Sequence, residues 1–456
     1  MTPCVEFGCP RKRTLQKQGK LGLDAGAPRA ALYLCMRKRG KPAGGPRSPP
    51  PFANRIRAHF TALNINMANN DHADFLGALC AIDSRTVDGA AGTVRVAAML
   101  GERLQAMGFE LEWVDASAAK PPRGRHLKAV RNPNAQIRFL LMGHTDTVLS
   151  PKDLPFRVDA RAGRVYGSGA CDMKGGCVVL LEALRQALDA DAAAREAGLV
   201  ILLNCAEEFC EPSFRLLARE AAKGARACLN FEPGTLGPNG EPRIVISRKG
   251  IVRFHLACAG RAAHAGNAHQ AGVNAIRELA RKVEQIESLT DYGSEVTANV
   301  GRISGGHVSN QVAAEASADF EVRAFREDRL QRACDAVKTI CATSSVSSVA
   351  DGTATRLKLD EYRAYPPWPQ NDATDALARS YVKLAGKRGI HVLTLLSGGG
   401  ADSSHVADLT PTLDGLGIRG GGMHTPDEWA DGGTLDVQAV MAADLIRELA
   451  QNAMKS

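Results

Sequence analysis

Long apolar runs are missing from this 456-residue chain. None approaches the ~20 residues needed to cross a bilayer, which excludes a helical membrane protein. The stretch Ala30-Ala31-Leu32-Tyr33-Leu34-Cys35-Met36 is too short for a signal core, and no small-residue cleavage pattern follows it. Paired cysteines are missing too: all 12 stand singly, without repeating CxxC pairs or finger-like Cys/His spacing. A chain of this size does not need disulfides to hold a core, so reduced thiols in a cytoplasmic protein are expected. No internal repeat is apparent.

Acidic side chains are scarce at one end only. Residues 1–66 carry 13 Lys or Arg against Glu6 and Asp24 alone; the rest carries 44 basic and 47 acidic side chains, a net of −3. The near-neutral remainder gives no hint of nucleic-acid binding, and none is expected. Residues 1–66 lack apolar periodicity and include Ser48-Pro49-Pro50-Pro51, so they cannot bury enough surface to offset their conformational entropy. Two readings stand: an organelle address or polyanion-binding arm, or, more blandly, a disordered leader or an upstream extension with true initiation at Met67. The second is preferred.

What remains is ordinary in composition, 45% hydrophobic and 23% charged, and long enough for two or three domains. Near-continuous apolar runs at Ile137–Met142, Leu199–Asn204 and Ala227–Phe231 suit strands buried on both faces. They alternate with helical patterns such as Cys177–Leu188, which predicts an α/β sheet flanked by helices. Between about Lys249 and Leu359 the order changes to strand Ile251–Cys258, helix Asn274–Leu289, strands Val296–Ile303 and Ala316–Phe325, helix Arg329–Ala342 and strand Thr355–Leu359. That βαββαβ order is ferredoxin-like. The expected organisation is therefore 67–248 and 362–456 as one catalytic domain, split by an inserted lid at 249–361.

Five short motifs fall where strands should end, the place where α/β sheets gather ligands. His144 and Asp146, in Gly143-His144-Thr145-Asp146, share a face if the extension continues. The carboxylate would then orient a metal-bound imidazole; a polar loop is the bland alternative. Asp172 lies in the glycine-rich turn Cys171-Asp172-Met173-Lys174-Gly175-Gly176, fit either for close approach to a metal or for a helix N-cap. Glu207 and Glu208 are adjacent acids that, on extended chain, would point to opposite sides. Glu232 precedes the strand-ending Pro233, and His424 sits in Gly422-Met423-His424-Thr425-Pro426. Each is weak alone. Two histidines and four carboxylates on one sheet, however, form the mixed N/O set that zinc, cobalt or manganese accepts, and a bridging carboxylate would make a two-metal site.

These motifs resemble the co-catalytic zinc metallopeptidase family of glutamate carboxypeptidase (carboxypeptidase G type), aminoacylase, acetylornithine deacetylase and succinyl-diaminopimelate desuccinylase, over about Asp71 to the end. The resemblance implies two zinc ions (cobalt or manganese as substitutes), one held by His144, Asp172 and Glu232, the other by Glu208 and His424, with Asp172 bridging. It makes Asp146 the orienter of His144 and Glu207 the general base that moves the proton of the bridging water to the leaving amine. Gly260-Arg261-Ala262-Ala263-His264-Ala265-Gly266 resembles the family turn whose histidine reaches across a homodimer to the oxyanion; a plain turn histidine is the alternative. Asn310, Arg323 and the backbone of Gly399 and Gly400 match residues that grip the terminal carboxylate of the substrate. A strand-surface charge competes for Arg323. Two departures stand out: Gln311-Val312-Ala313-Ala314 lacks the family proline, and Gly240 occupies the place of a substrate-contacting lysine, with Arg243 the nearest basic residue. The expected reaction is hydrolysis of the amide to a C-terminal amino acid. An N-acyl-amino-acid deacylase is the rival, and a polyanion-binding protein acting through residues 1–66 the alternative of another class.

Overall fold

The computed structural model describes residues 70–86, 91–116 and 124–454. The basic stretch 1–66, and the readings attached to it, lie outside the described residues. The fold is α/β. Its main sheet has six strands in the spatial order Glu110–Asp115, Arg125–Arg131, Gly198–Asn204, Arg138–His144, Ala227–Asn230 and Thr412–Leu413. The last four run parallel, with His144 level with Asn204 and Met142 with Asn230. Their carboxyl ends therefore share one edge.

The period-2 geometry of a strand explains why these runs are apolar throughout. Phe139, Leu141, Leu199, Ile201, Leu203 and Leu229 pack into the largest core, while Leu140, Met142, Leu202 and Cys228 meet Phe214 and Ala218 on the other face. Helix Lys174–Ala190 lies against the first face and helix Pro212–Ala222 against the second. The nine described cysteines are buried free thiols. Among the described residues no helix is long and apolar enough to cross a membrane.

The glycines that open helix Lys174–Ala190 are fixed by close approach. A Cβ on Gly176 would lie 2.0 Å from the Phe231 carbonyl oxygen, the residue before Glu232. Gly176→Ala is expected to push these segments apart and to cost about 1–3 kcal/mol, the usual penalty for overpacking. Denaturant unfolding checks the cost; an unchanged midpoint would show that the contact relaxes freely.

A second layer has strands Gly250–Ala259, Thr297–Gly305, Glu315–Ala324 and Arg356–Tyr365, ordered 2-3-1-4 and all antiparallel. Helices Ala275–Glu287 and Glu327–Cys341 cover one face only, over Val252, Phe254, Leu256, Ala318, Phe320 and Val322. This is the ferredoxin-like order read from the sequence. Its last strand, however, runs six residues beyond Leu359, past the expected boundary at 361. Asp360, Glu361 and Tyr362 hid it: Asp360 and Tyr362 stand on the uncovered face, where polar groups are tolerated, and Glu361, on the covered face, pairs with Lys338 of the second helix at 2.8 Å.

Candidate metal centre

His144 ends its strand buried, and its two ring nitrogens are committed in different directions. Nδ1 lies 3.1 Å from the Asp146 carbonyl oxygen and 3.3 Å from its carboxylate, whereas Nε2 lies 3.1 Å from Asp172 Oδ1 and 3.9 Å from Glu232 Oε1. Asp172 precedes helix Lys174–Ala190 without capping it, since Met173 is the N-cap residue and no side chain caps. The other Asp172 oxygen, Oδ2, faces His424 Nε2 at 3.3 Å, and that nitrogen lies 3.2 Å from Glu208 Oε2. The three metal-competent clusters are therefore His144 with Asp172 and Glu232, Asp172 with Glu208 and His424, and His144 with Glu207 and Glu208.

Glu207 and Glu208 are not on extended chain. They sit in a turn closed by Cys210 N–H on the Glu207 carbonyl, 2.7 Å. The reason is Asp146: its carboxylate accepts the amides of Glu207 (3.0 Å) and Glu208 (3.1 Å) and the hydroxyl of Thr86 (3.0 Å). The sequence reading gave Asp146 one duty, orienting His144; it has two. Asp146→Ala would leave those buried donors unpaired, at a cost of about 3 kcal/mol or more. It should also weaken metal binding about 10- to 100-fold, as for other partners behind a ligand. Urea unfolding and metal titration check both; a loss below ~1 kcal/mol would show that the turn is held otherwise.

His424 comes from a loop between the short strands Gly420–Gly421 and Trp429–Asp431, which pair with each other. Trp429–Asp431 also pairs with Arg164–Tyr166, just ahead of the Asp172 loop. Gly422 holds φ +71 there, a region open mainly to glycine. Glu428 completes the join, accepting the amides of Cys171 (2.9 Å) and Asp172 (3.1 Å). It was missed in the sequence because a carboxylate that binds amides carries no motif. Burial raises its carboxyl to about 7, against those same hydrogen bonds.

The electrostatics ask for cations. Burial pushes the Glu207 and Glu232 carboxyls well above the ordinary range and raises that of Glu208, although nearby imidazoles oppose the shift. Asp172 is also opposed by burial, but His144 and His424 hold its carboxyl low. His424 is raised to about 10 by Asp172 and Glu208. Several buried carboxylates crowded around two imidazoles are costly without compensating positive charge. The N/O donor set, with one carboxylate shared, suits two divalent ions.

Tyr365 was also missed. Its hydroxyl donates to Glu207 Oε1 at 2.6 Å, from the last residue of the second layer. Behind it lies Asp402, which accepts from Asn204 Nδ2 at 2.9 Å. Burial raises its carboxyl to about 7.

The remaining residues form two other groups. His264 and Asn310 are exposed neighbours in the second layer, where Ala265 N–H donates to the Asn310 carbonyl at 3.0 Å. His264 Nδ1 accepts the amides of Gly266 and Asn267, both at 3.1 Å. Arg323 reaches the glycine loop, donating from Nη1 to the Gly398 carbonyl at 2.9 Å and from Nε to Glu321 at 2.7 Å. Gly399 is held through its carbonyl by buried Arg248 at 3.2 Å, and a Cβ on Gly400 would lie 2.3 Å from the Tyr365 ring.

Fold and site together define a hydrolytic enzyme of the metallopeptidase or amidohydrolase class. Residues 140–450 match the model of Peptidase family M20/M25/M40, and the chain belongs to that family. Carboxypeptidase G2 of Pseudomonas sp. (strain RS-16) is 30% identical over 321 residues, 68% of this chain and 74% of that protein. Succinyl-diaminopimelate desuccinylase of Methylorubrum populi is 29% identical, over 72% of this chain and 86% of its own. Among solved structures, a tripeptidase of Staphylococcus aureus superposes with TM-score 0.68 at 20% identity, covering 85% of this chain and 99% of its own. An M20 family metallo-carboxypeptidase of Sulfolobus solfataricus gives 0.64 at 17%, covering 84% and 98%.

Proposed function

We propose that the chain hydrolyses the amide joining an acyl or peptidyl group to an amino acid with a free carboxylate, as a carboxypeptidase. The observation that carries the reading is the shared carboxylate: Asp172 presents Oδ1 to His144 and Oδ2 to His424. In this reading His144, Asp172 and Glu232 hold one ion, and Asp172, Glu208 and His424 the other. Zinc fits the donors, with cobalt or manganese as substitutes. Two such ions, when bound, supply Lewis-acid polarisation of the scissile carbonyl and a more acidic water.

The protein's own groups do the rest. Glu207, whose buried carboxyl favours holding a proton, takes it from the attacking water and delivers it to the leaving amine. The Tyr365 hydroxyl fixes its orientation. Because His264 Nδ1 accepts two amides, the ring proton belongs on Nε2, a donor free to meet an oxyanion when the inserted domain closes. In our reading residues 249–361 are that lid and also carry a homodimer contact, and the free thiols fit a cytoplasmic setting. Arg323, Asn310 and the Gly399–Gly400 backbone would receive the terminal carboxylate. Arg323 keeps N–H groups beyond the three used by Glu321 and Gly398.

The second reading, an N-acyl-amino-acid deacylase, is favoured by one feature: Gly240, in open space at φ +87, offers no cationic side chain where the carboxypeptidase branch has a lysine. A zinc-loaded sample, assayed on peptidyl- and pteroyl-glutamate beside acetyl and succinyl amino acids, separates the two. Release of the C-terminal residue from the first pair is expected; turnover confined to the second would replace the carboxypeptidase with a deacylase.

A further inference from the structure

The uncovered face of the inserted sheet does not end at the catalytic groups. Successive rows across its strands are fixed by register. The first row is Thr297, Arg323, Ile251 and Tyr365; the next is Asn299, Glu321, Arg253 and Tyr362; then come Arg302, Asp319, His255 and Asp360. The first row lies beneath the catalytic domain, since Tyr365 bonds Glu207 and Gly400 presses on Tyr365 and Ile251. The second row still touches the catalytic turn, because the Tyr362 hydroxyl donates to the Cys210 carbonyl. From there outward the face opens into a cavity of about 660 Å³ lined by Arg253, His255, Asn299, Glu321 and Tyr362 among others.

The charges in that cavity are unequal in their commitments. Glu321 is taken by Arg323 at 2.6 Å, Asp319 by His255 at 2.6 Å and Arg302 at 3.7 Å, Glu361 by Lys338 at 2.8 Å, and Asp360 by Lys358 at 2.9 Å. The Arg253 side chain is exposed and has no hydrogen bond or ion pair among the described residues. It stands one row, roughly 7 Å along the strand, from the row whose tyrosine holds Glu207. A guanidinium in such a cavity offers its fork of N–H groups to a carboxylate or a similar oxyanion.

We propose that Arg253 forms an anion subsite on the open face of the inserted sheet, selecting substrates that carry a second acidic group beyond the scissile amide. The inference rests on the amide-hydrolase reading above. Its ligand class is an acyl or peptidyl amino acid with an additional carboxylate, beyond the terminal one assigned to Arg323. Arg253 acts through binding and moves no proton.

The test uses matched pairs of N-acyl and peptidyl amino acids equal in length, one ending in a carboxylate and the other in a methyl group. One series carries the extra acid on the acyl side, the other on the amine side. The wild-type enzyme should prefer the acidic member in one series. Arg253→Gln should cut kcat/KM for that member about 10- to 100-fold, through KM, and change the neutral partner less than about twofold. Arg253→Lys should recover part of the preference. Equal losses on both members, or no acidic preference in the wild type, would overturn the subsite. A wild-type enzyme inactive on every amide would overturn the hydrolase reading instead, and circular dichroism of the variants separates either result from misfolding.

Discussion

Glu207→Gln should lower turnover by about 10²- to 10⁴-fold, the usual contribution of a positioned acid–base group, while the protein still folds and still binds two metal ions. Three features lead to this split. Glu207 lies beside the ligands without belonging to the two clusters that share Asp172, so its loss leaves both proposed metal positions furnished. Its amide, not its side chain, anchors the turn on Asp146, so glutamine keeps that contact. Burial drives its carboxyl up, against the pull of His144, so the group favours taking up a proton. Glutamine retains the Tyr365 hydrogen bond but cannot cycle a proton. The measurement is kcat for a cleaved substrate beside the metal content of the same sample. Retained turnover would remove Glu207 as the base. Lost metal would make it a ligand, through the cluster it forms with His144 and Glu208.

What the sequence revealed and what it hid divide along physical lines. The strands ending at His144, Asn204 and Asn230 were legible because a strand covered on both faces must be apolar at every position. Strand Arg125–Arg131 was not: a basic residue at every third position, Arg125, Lys128 and Arg131, breaks the period-2 pattern of a strand, and its place next to Gly198–Asn204 depends on pairing remote in sequence. The clustered histidines and carboxylates were legible because glycines and strand ends mark them together. Their supports were not. Glu428, Thr86 and Tyr365 act through contacts to atoms far away along the chain, and nothing local distinguishes them from surface residues. The Glu207–Glu208 turn belongs to the same class, since its geometry is imposed by Asp146 some sixty residues earlier.

Asp172→Asn should reduce the bound metal from two ions per chain to fewer than one, and turnover should fall with it. His424→Ala should cost only one ion. The asymmetry follows from the geometry. Asp172 divides its oxygens between the two imidazoles, so losing its charge weakens both positions together. Among the described residues His424 pairs with Asp172 and Glu208, and its loss leaves His144, Asp172 and Glu232 in place. Asparagine preserves the shape of the loop, because Glu428 holds that loop through the amides of Cys171 and Asp172. Removing a ligand should weaken metal binding by more than the roughly 10- to 100-fold typical of a partner behind one, so the shared position should empty at micromolar metal. Metal analysis after dialysis, with circular dichroism to verify folding, reads the stoichiometry directly. Two ions retained by Asp172→Asn would mean that no single carboxylate joins the two halves of the centre, and both lost from His424→Ala would mean that the first position does not fill without the second.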